Sequence, residues 1–297
     1  MVCEQKLQGT HIIIEDSSDM YELPKIIRNH FEDILAAHDT SHVYNQLNIR
    51  VTGWQMDENS VFRINTARTT YFYSLVTNRA MDFKWNGLTV RELLEYGPFL
   101  HSLAESKLSN HLGFNGFVES CDGYIAFVKR SKDLSIGKST YGNSVGASMK
   151  VKYALDEARH FTKQGIMNAM LNEIFDELKI PPTALEEFSC EKNIISAYRD
   201  LVEGGKPQLL FYAKSKWNKI QITDNFKRQL KIKKNPAKEV ELREDGTFIL
   251  WIPKQRLKEM ALAPELIVYE GKGYKMMPSA SAAVVMLIDY LQEKGEL

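Results

Sequence analysis

Residues 165–180 read GIMNAMLNEIFDELKI, and the repeat of their apolar and acidic positions decides what surrounds them. Met167, Met170, Leu171, Ile174 and Leu178 recur three and four apart, which lays a buried stripe along one side of an α-helix. Pro181 and Pro182 end that helix. Glu173 and Glu177 are four apart, so their carboxylates stand one turn apart on a single face, with Asp176 beside them. Like charges at that spacing destabilise a bare helix. A shared hard cation removes the penalty, because clustered carboxylate oxygens are what Mg²⁺ accepts.

Strands flank this helix on both sides. Phe114 to Ser120 and Tyr124 to Arg130 form a hairpin joined by Asp122-Gly123. Ser135 to Ser148 is a Gly/Ser-rich loop with a short extended segment. Earlier, His11 to Glu15 is a β-branched run, followed by a helix from Met20 to about Ala37. Ile49 to Gln55 and Ser60 to Thr66 alternate like strands, and Thr89 to Glu95 and Phe99 to Leu108 read as short helices. Later strands are Gln208 to Ala213, Val240 to Arg243 and Thr247 to Ile252, before a last helix from Ala280 to Gln292. Strands before and after one central helix, in mixed order, argue for an α+β fold or an α-β-α sandwich.

The segment 172–180 resembles the second half of the Nudix box, which runs Arg-Glu-apolar-x-Glu-Glu-x-Gly-apolar. Glu173 and Glu177 match metal-binding glutamates of that motif, and Asp176 takes a third carboxylate position. Asn172 stands at the arginine position and Lys179 at the glycine, while the upstream glycine and glutamate positions fall on Ala158 and Gln164. Ser144 to Ala147, around Gly146, is similar to the strand end that precedes the box, with an insertion at about 150–163. The chain looks most like the divergent Nudix-type hydrolases of UDP-glucose and UDP-galactose. That resemblance takes in Thr69, Tyr71, Thr77 and Asn78, then Leu112-Gly113, Asp122 and Arg130-Ser131.

The resemblance implies a Nudix-like sandwich with a mixed sheet over 109–297, preceded by an N-terminal α+β module or extension over 1–108. It also implies cleavage of a pyrophosphate bond, dependent on Mg²⁺ (or Mn²⁺) held by Glu173 and Glu177, with release of UMP and a sugar 1-phosphate. Glu173, Asp176 and Glu177 are then the catalytic group, with Glu157 and His160 as other candidate bases. Tyr71, Asn78, Arg68, Lys129 and Gly146 are the candidate substrate contacts. The loss of the arginine, the glycine and the upstream glutamate leaves a second expectation, a Nudix fold that binds a nucleotide without chemistry.

Composition sets the limits. Hydrophobic residues are 44% and charged residues 26% of the 297, enough apolar material for a real core, which excludes disorder over the whole length. Thirty-eight basic residues balance thirty-eight acidic ones, so no global field drives binding to nucleic acid or an acidic membrane, and neither is expected as a partner. The basic run from Lys227 to Lys238 has no interleaved aromatics and reads as a solvated face. Three widely spaced cysteines, Cys3, Cys121 and Cys190, form no zinc spacing or disulfide framework, which fits a reducing, cytoplasmic setting. No signal-peptide core is seen, and the longest apolar run, 282–288, is too short to span a bilayer. Gly137 to Thr140 mimics a P-loop tail but lacks the glycine five residues earlier, and His38 with His42 has no third ligand.

Overall fold

The computed structural model describes residues 2–38, 44–96, 99–130, 139–233 and 246–297. The fold is α+β, with mixed sheets, and the chain falls into two compact units. One is made of Met1–Phe114, Ser148–Ala169 and Cys190–Leu209; the other of Asn115–Ala147, Met170–Ser189 and Leu210–Leu297. Each unit is therefore interleaved along the chain.

In the first unit the alternating stretches form a three-stranded sheet. His11–Met20 runs parallel to Val61–Thr70, which pairs antiparallel with Leu47–Met56. Alternation sends Ile12, Ile49, Val51, Phe62 and Ile64 to the interior, where each is essentially inaccessible. The turn between the last two strands is held by Asp57 Oδ1, which accepts from the amides of Asn59 and Val61. A second ladder pairs Val2–Lys6 with Ile194–Asp200, placing Gln5 opposite Ala197. Beside these strands, Leu23, Ile27, Ile34, Leu75, Val76, Met81 and Leu94 form an apolar cluster.

The helix expected over Met20–Ala37 is instead two short ones, Lys25–Arg28 and Phe31–Ala36. Pro24, at φ −52° and ψ 141°, fixes an extended entry and keeps the preceding residue out of the helical region. His30, at φ −122° and ψ 21°, interrupts the second turn. The segment 99–108 makes turns and no helix, because Ser102 Oγ accepts from Glu105 N and closes a single local turn. Val90–Leu94 forms as read, with Thr89 and Glu92 in a reciprocal capping box.

Asp16 clamps the first unit from within. Its carboxylate receives both terminal nitrogens of Arg68, at 2.7 and 2.6 Å, the Thr66 hydroxyl at 2.6 Å and the amide of Phe161 at 2.8 Å. Arg68 also donates to the carbonyls of Ser17 and Arg159.

In the second unit the hairpin strands Gly113–Glu119 and Tyr124–Arg130 meet through Ser120 to Tyr124, with Gly123 in the left-handed region at φ 82°. Within this unit the strand order is Lys206–Lys214 (from Leu210 onward), Gly113–Glu119, Tyr124–Arg130, Gly246–Pro253, with Val145–Ser148 also beside Gly113–Glu119. A Cβ on Gly116 would lie 2.0 Å from the Phe211 ring, so that ring packs directly against strand backbone. The helix Pro278–Glu293 turns Ala283, Val284, Leu287 and Leu291 to the interior. The strand expected at 240–243 lies outside the described residues.

Burial raises the Asp16 carboxyl, but hydrogen bonds from Arg68, Phe161 and Thr66 outweigh it and hold the group below the usual carboxylate range. A depressed folded value gives stability that is complete above the unfolded value, near pH 4, and is lost as pH falls through the folded one. Asp16→Asn leaves Arg68 buried without its counter-charge and is expected to cost about 3–5 kcal/mol at pH 7. Denaturant melts should show that gap narrowing below about pH 4; a gap that stays constant into strong acid would remove the clamp from the stability of the unit.

Candidate functional site

The helix Lys163–Leu178 carries the acidic face. Met170, Ile174 and Leu178 are fully buried along its stripe, which fixes the helix rotation and so the direction of its glutamates. Glu173 is drawn inward with the stripe, 4% exposed. Glu177 is half-buried one turn on, and its Oε1 accepts the amide of Gly146 at 3.2 Å. Gly146 lies on the strand Val145–Ser148, where a Cβ would approach Asn115 Oδ1 to 3.1 Å. Asp176 is exposed.

The helix ends where the resemblance places a glycine. Lys179 occupies that position at φ 61°, a left-handed conformation that glycine adopts at no steric cost. Its amide donates to Phe175 O, its ammonium donates to the carbonyl of Asp176, and its own carbonyl accepts from Asn225 Nδ2 at 2.6 Å. The backbone path of a glycine-capped helix end is thus kept by a lysine whose side chain folds back on the last turn.

Among the expected site residues, the second unit brings Glu177 and Gly146 into direct contact and keeps Glu173 on the same helix face. Lys129 lies in the same unit on Tyr124–Arg130, with its backbone opposite Phe248 and Tyr141. Arg68, Tyr71, Asn78, Glu157 and His160 belong to the first unit, the last two exposed on the inserted segment.

Three of these are already engaged by their surroundings. Arg68, 5% exposed, is engaged by Asp16 and by the carbonyls of Ser17, Ala67 and Arg159, so both terminal nitrogens are already occupied. Asn78 is fully buried; its Nδ2 donates to Asn110 Oδ1 at 3.0 Å and Glu203 O at 2.9 Å, while its Oδ1 accepts from Asn110 N at 2.8 Å. Both amide protons are used, which makes Asn78 a cross-link of the interior. The Tyr71 hydroxyl accepts from Arg79 Nη1 at 2.8 Å, with the guanidinium 5.4 Å from the ring centre.

Beside Asn78 lies a buried charged group that sequence reading missed. Arg79 and Lys206 flank Glu203 at 3.4 and 2.8 Å. Burial and the Glu203 charge push the nearby Asp200 carboxyl up, and burial pushes the Lys206 ammonium down. No periodicity marks these residues, because they come together from segments more than 100 residues apart.

Among the described residues, no group of three or more His, Cys, Asp and Glu side chains is placed to hold a metal ion, and no helix is long and apolar enough to cross a membrane. No protein-family model and no curated protein matches the chain. Among solved structures it is similar to DR0079 from Deinococcus radiodurans, at 12% identity and a TM-score of 0.25, over 62% of this chain and 82% of that one. A TM-score that low carries nothing over to this chain.

Asn78→Ala removes three interior hydrogen bonds and leaves the Glu203 carbonyl and the Asn110 side chain short of partners. A loss of about 2–4 kcal/mol in stability is expected. Equilibrium unfolding checks it: an unchanged midpoint would return Asn78 to the candidate ligand contacts.

Proposed function

We propose that the chain is a metal-dependent hydrolase of the Nudix type. It cleaves the pyrophosphate bond of a nucleoside diphosphate-linked substrate, with a UDP-sugar giving UMP and a sugar 1-phosphate as the best candidate. The observation that carries this reading is the carboxylate pair Glu173 and Glu177, one turn apart, with Glu177 oriented by the Gly146 amide. The left-handed helix end at Lys179 supports it, since it reproduces the backbone demand of the box glycine.

The donors suit the ion. Mg²⁺ keeps several waters and is commonly bound through one or two carboxylates together with substrate phosphates, so two glutamates on one face are a sufficient protein contribution. Glu173 and Glu177 would hold it. When bound there, Mg²⁺ or Mn²⁺ supplies neutralisation of the phosphate charge and acidifies an attacking water. The chain's own contribution is positional. The buried stripe aims Glu173, the Gly146 amide fixes one oxygen of Glu177, and exposed Asp176 is available to take the proton of the water that adds to phosphorus. The P–O bond to the second phosphoryl group breaks, and the leaving phosphate carries away the electron pair.

A second reading, a nucleotide-binding protein without chemistry, is favoured by the exposed Asn172 at the arginine position. One screen separates the two. UDP-sugars, ADP-ribose, dinucleotides and NADH are incubated with Mg²⁺ or Mn²⁺, and both product and thermal shift are recorded. Turnover supports hydrolysis. Stabilisation without product supports the second reading, because a ligand that binds only the folded state raises its stability by mass action.

Glu177→Gln retains volume but removes an anionic ligand oxygen. Turnover of the best substrate is expected to fall at least about 100-fold, on the scale of losing one electrostatic catalytic contact. Folding stability should change by less than roughly 0.5 kcal/mol. Equal turnover and equal Mg²⁺ response in variant and wild type would remove Glu177 from the site.

A further inference from the structure

In the first unit, Asn48 and Arg50 are two apart on Leu47–Met56 and so share one face of the strand. Antiparallel bridges set Asn48 opposite Lys150 and Arg50 opposite His111, and residues paired in this way project to the same side. Ser148, two residues before Lys150, joins them: its Oγ lies 3.1 Å from His111 Nε2. Asn48 and His111 are both fully buried. Even so, both polar atoms of the Asn48 carboxamide and Nδ1 of His111 have no hydrogen-bond partner among the described residues. Buried orphans of this kind are rare, and each costs more than a typical hydrogen bond gains.

The chemistry of the surroundings selects the occupant. Asn48 offers one donor and one acceptor whichever way its amide is turned, and His111 Nδ1 offers one or the other according to its tautomer. Burial, together with the charges of Lys206 and Arg79, keeps His111 well below its usual range and therefore neutral. An anion would pair with the Asn48 amide nitrogen but leave the Asn48 oxygen without a donor, and the two cations nearby already have Glu203 between them. A cation would meet Arg79 and Lys206. A small neutral molecule that both donates and accepts fits every partner.

We infer that an ordered internal water sits at this junction, hydrogen-bonded to the Asn48 carboxamide and to His111 Nδ1. It joins the strand Leu47–Met56 to the 110–112 and 148–150 segments, whose backbones already meet through Ile49 N to Met149 O and Leu112 N to Ile49 O. Buried waters ordinarily make two to four such bonds, and this site supplies three polar atoms.

The test uses the full chain with Asn48→Leu, His111→Phe and the double variant, followed by thermal unfolding, alongside a high-resolution crystal structure of the wild type. Each single substitution expels the water and strands the partner that remains, so each should lower Tm by about 2–6 °C. The double variant should lose clearly less than the sum, because both side chains serve one water. Strictly additive losses would overturn the inference, and so would a rise in Tm for Asn48→Leu, which is what deleting a dry orphan amide produces. The wild-type density decides independently, even where a variant fails to fold. A water within hydrogen-bond distance of both side chains upholds the site, and its absence removes it.

Discussion

Asp16 and Arg68 form a buried ion pair that taking two charges out of water would ordinarily penalise. The pair persists because further groups bond to both partners: Thr66 and the Phe161 amide to Asp16, and the carbonyls of Ser17, Ala67 and Arg159 to Arg68. That network is what makes it a constraint. The parallel pairing of His11–Met20 with Val61–Thr70 places Asp16 beside Thr66, and the same carboxylate captures the inserted segment at Phe161. Much of the first unit is thus organised around four oxygen and nitrogen contacts at one side chain.

The legible parts of the fold were those whose signal is local. The hairpin around Asp122-Gly123 needs only a turn that tolerates positive φ between two apolar runs, and the helix Lys163–Leu178 needs only its period and the two prolines after it. The strand Ile194–Asp200 escaped notice because all seven of its residues are buried, Arg199 and Asp200 included, so no alternation survives to be read. The helix Lys219–Lys233 was hidden for the opposite reason: its many lysines read as a charge run. The same division holds at the site. A carboxylate pair at i and i+4 is visible in one dimension. The occupation of Arg68 by Asp16 and of Asn78 by Asn110 and Glu203 is not, since each depends on pairing across 32 residues or more.

The helix end shows how a residue other than glycine can hold a left-handed backbone. Lys179 accepts an unfavourable φ there while its ammonium caps a carbonyl of the last turn. Asn172, one residue before Glu173, is exposed.

The interleaving of the units bears on synthesis. The strand Val2–Lys6 pairs with Ile194–Asp200, which is synthesised almost two hundred residues after it. During that interval the early strand has an unsatisfied edge, the condition under which nascent chains recruit chaperones or pair with the wrong neighbour. The first unit draws on segments as far along as Cys190–Leu209, so it closes only after those have been synthesised.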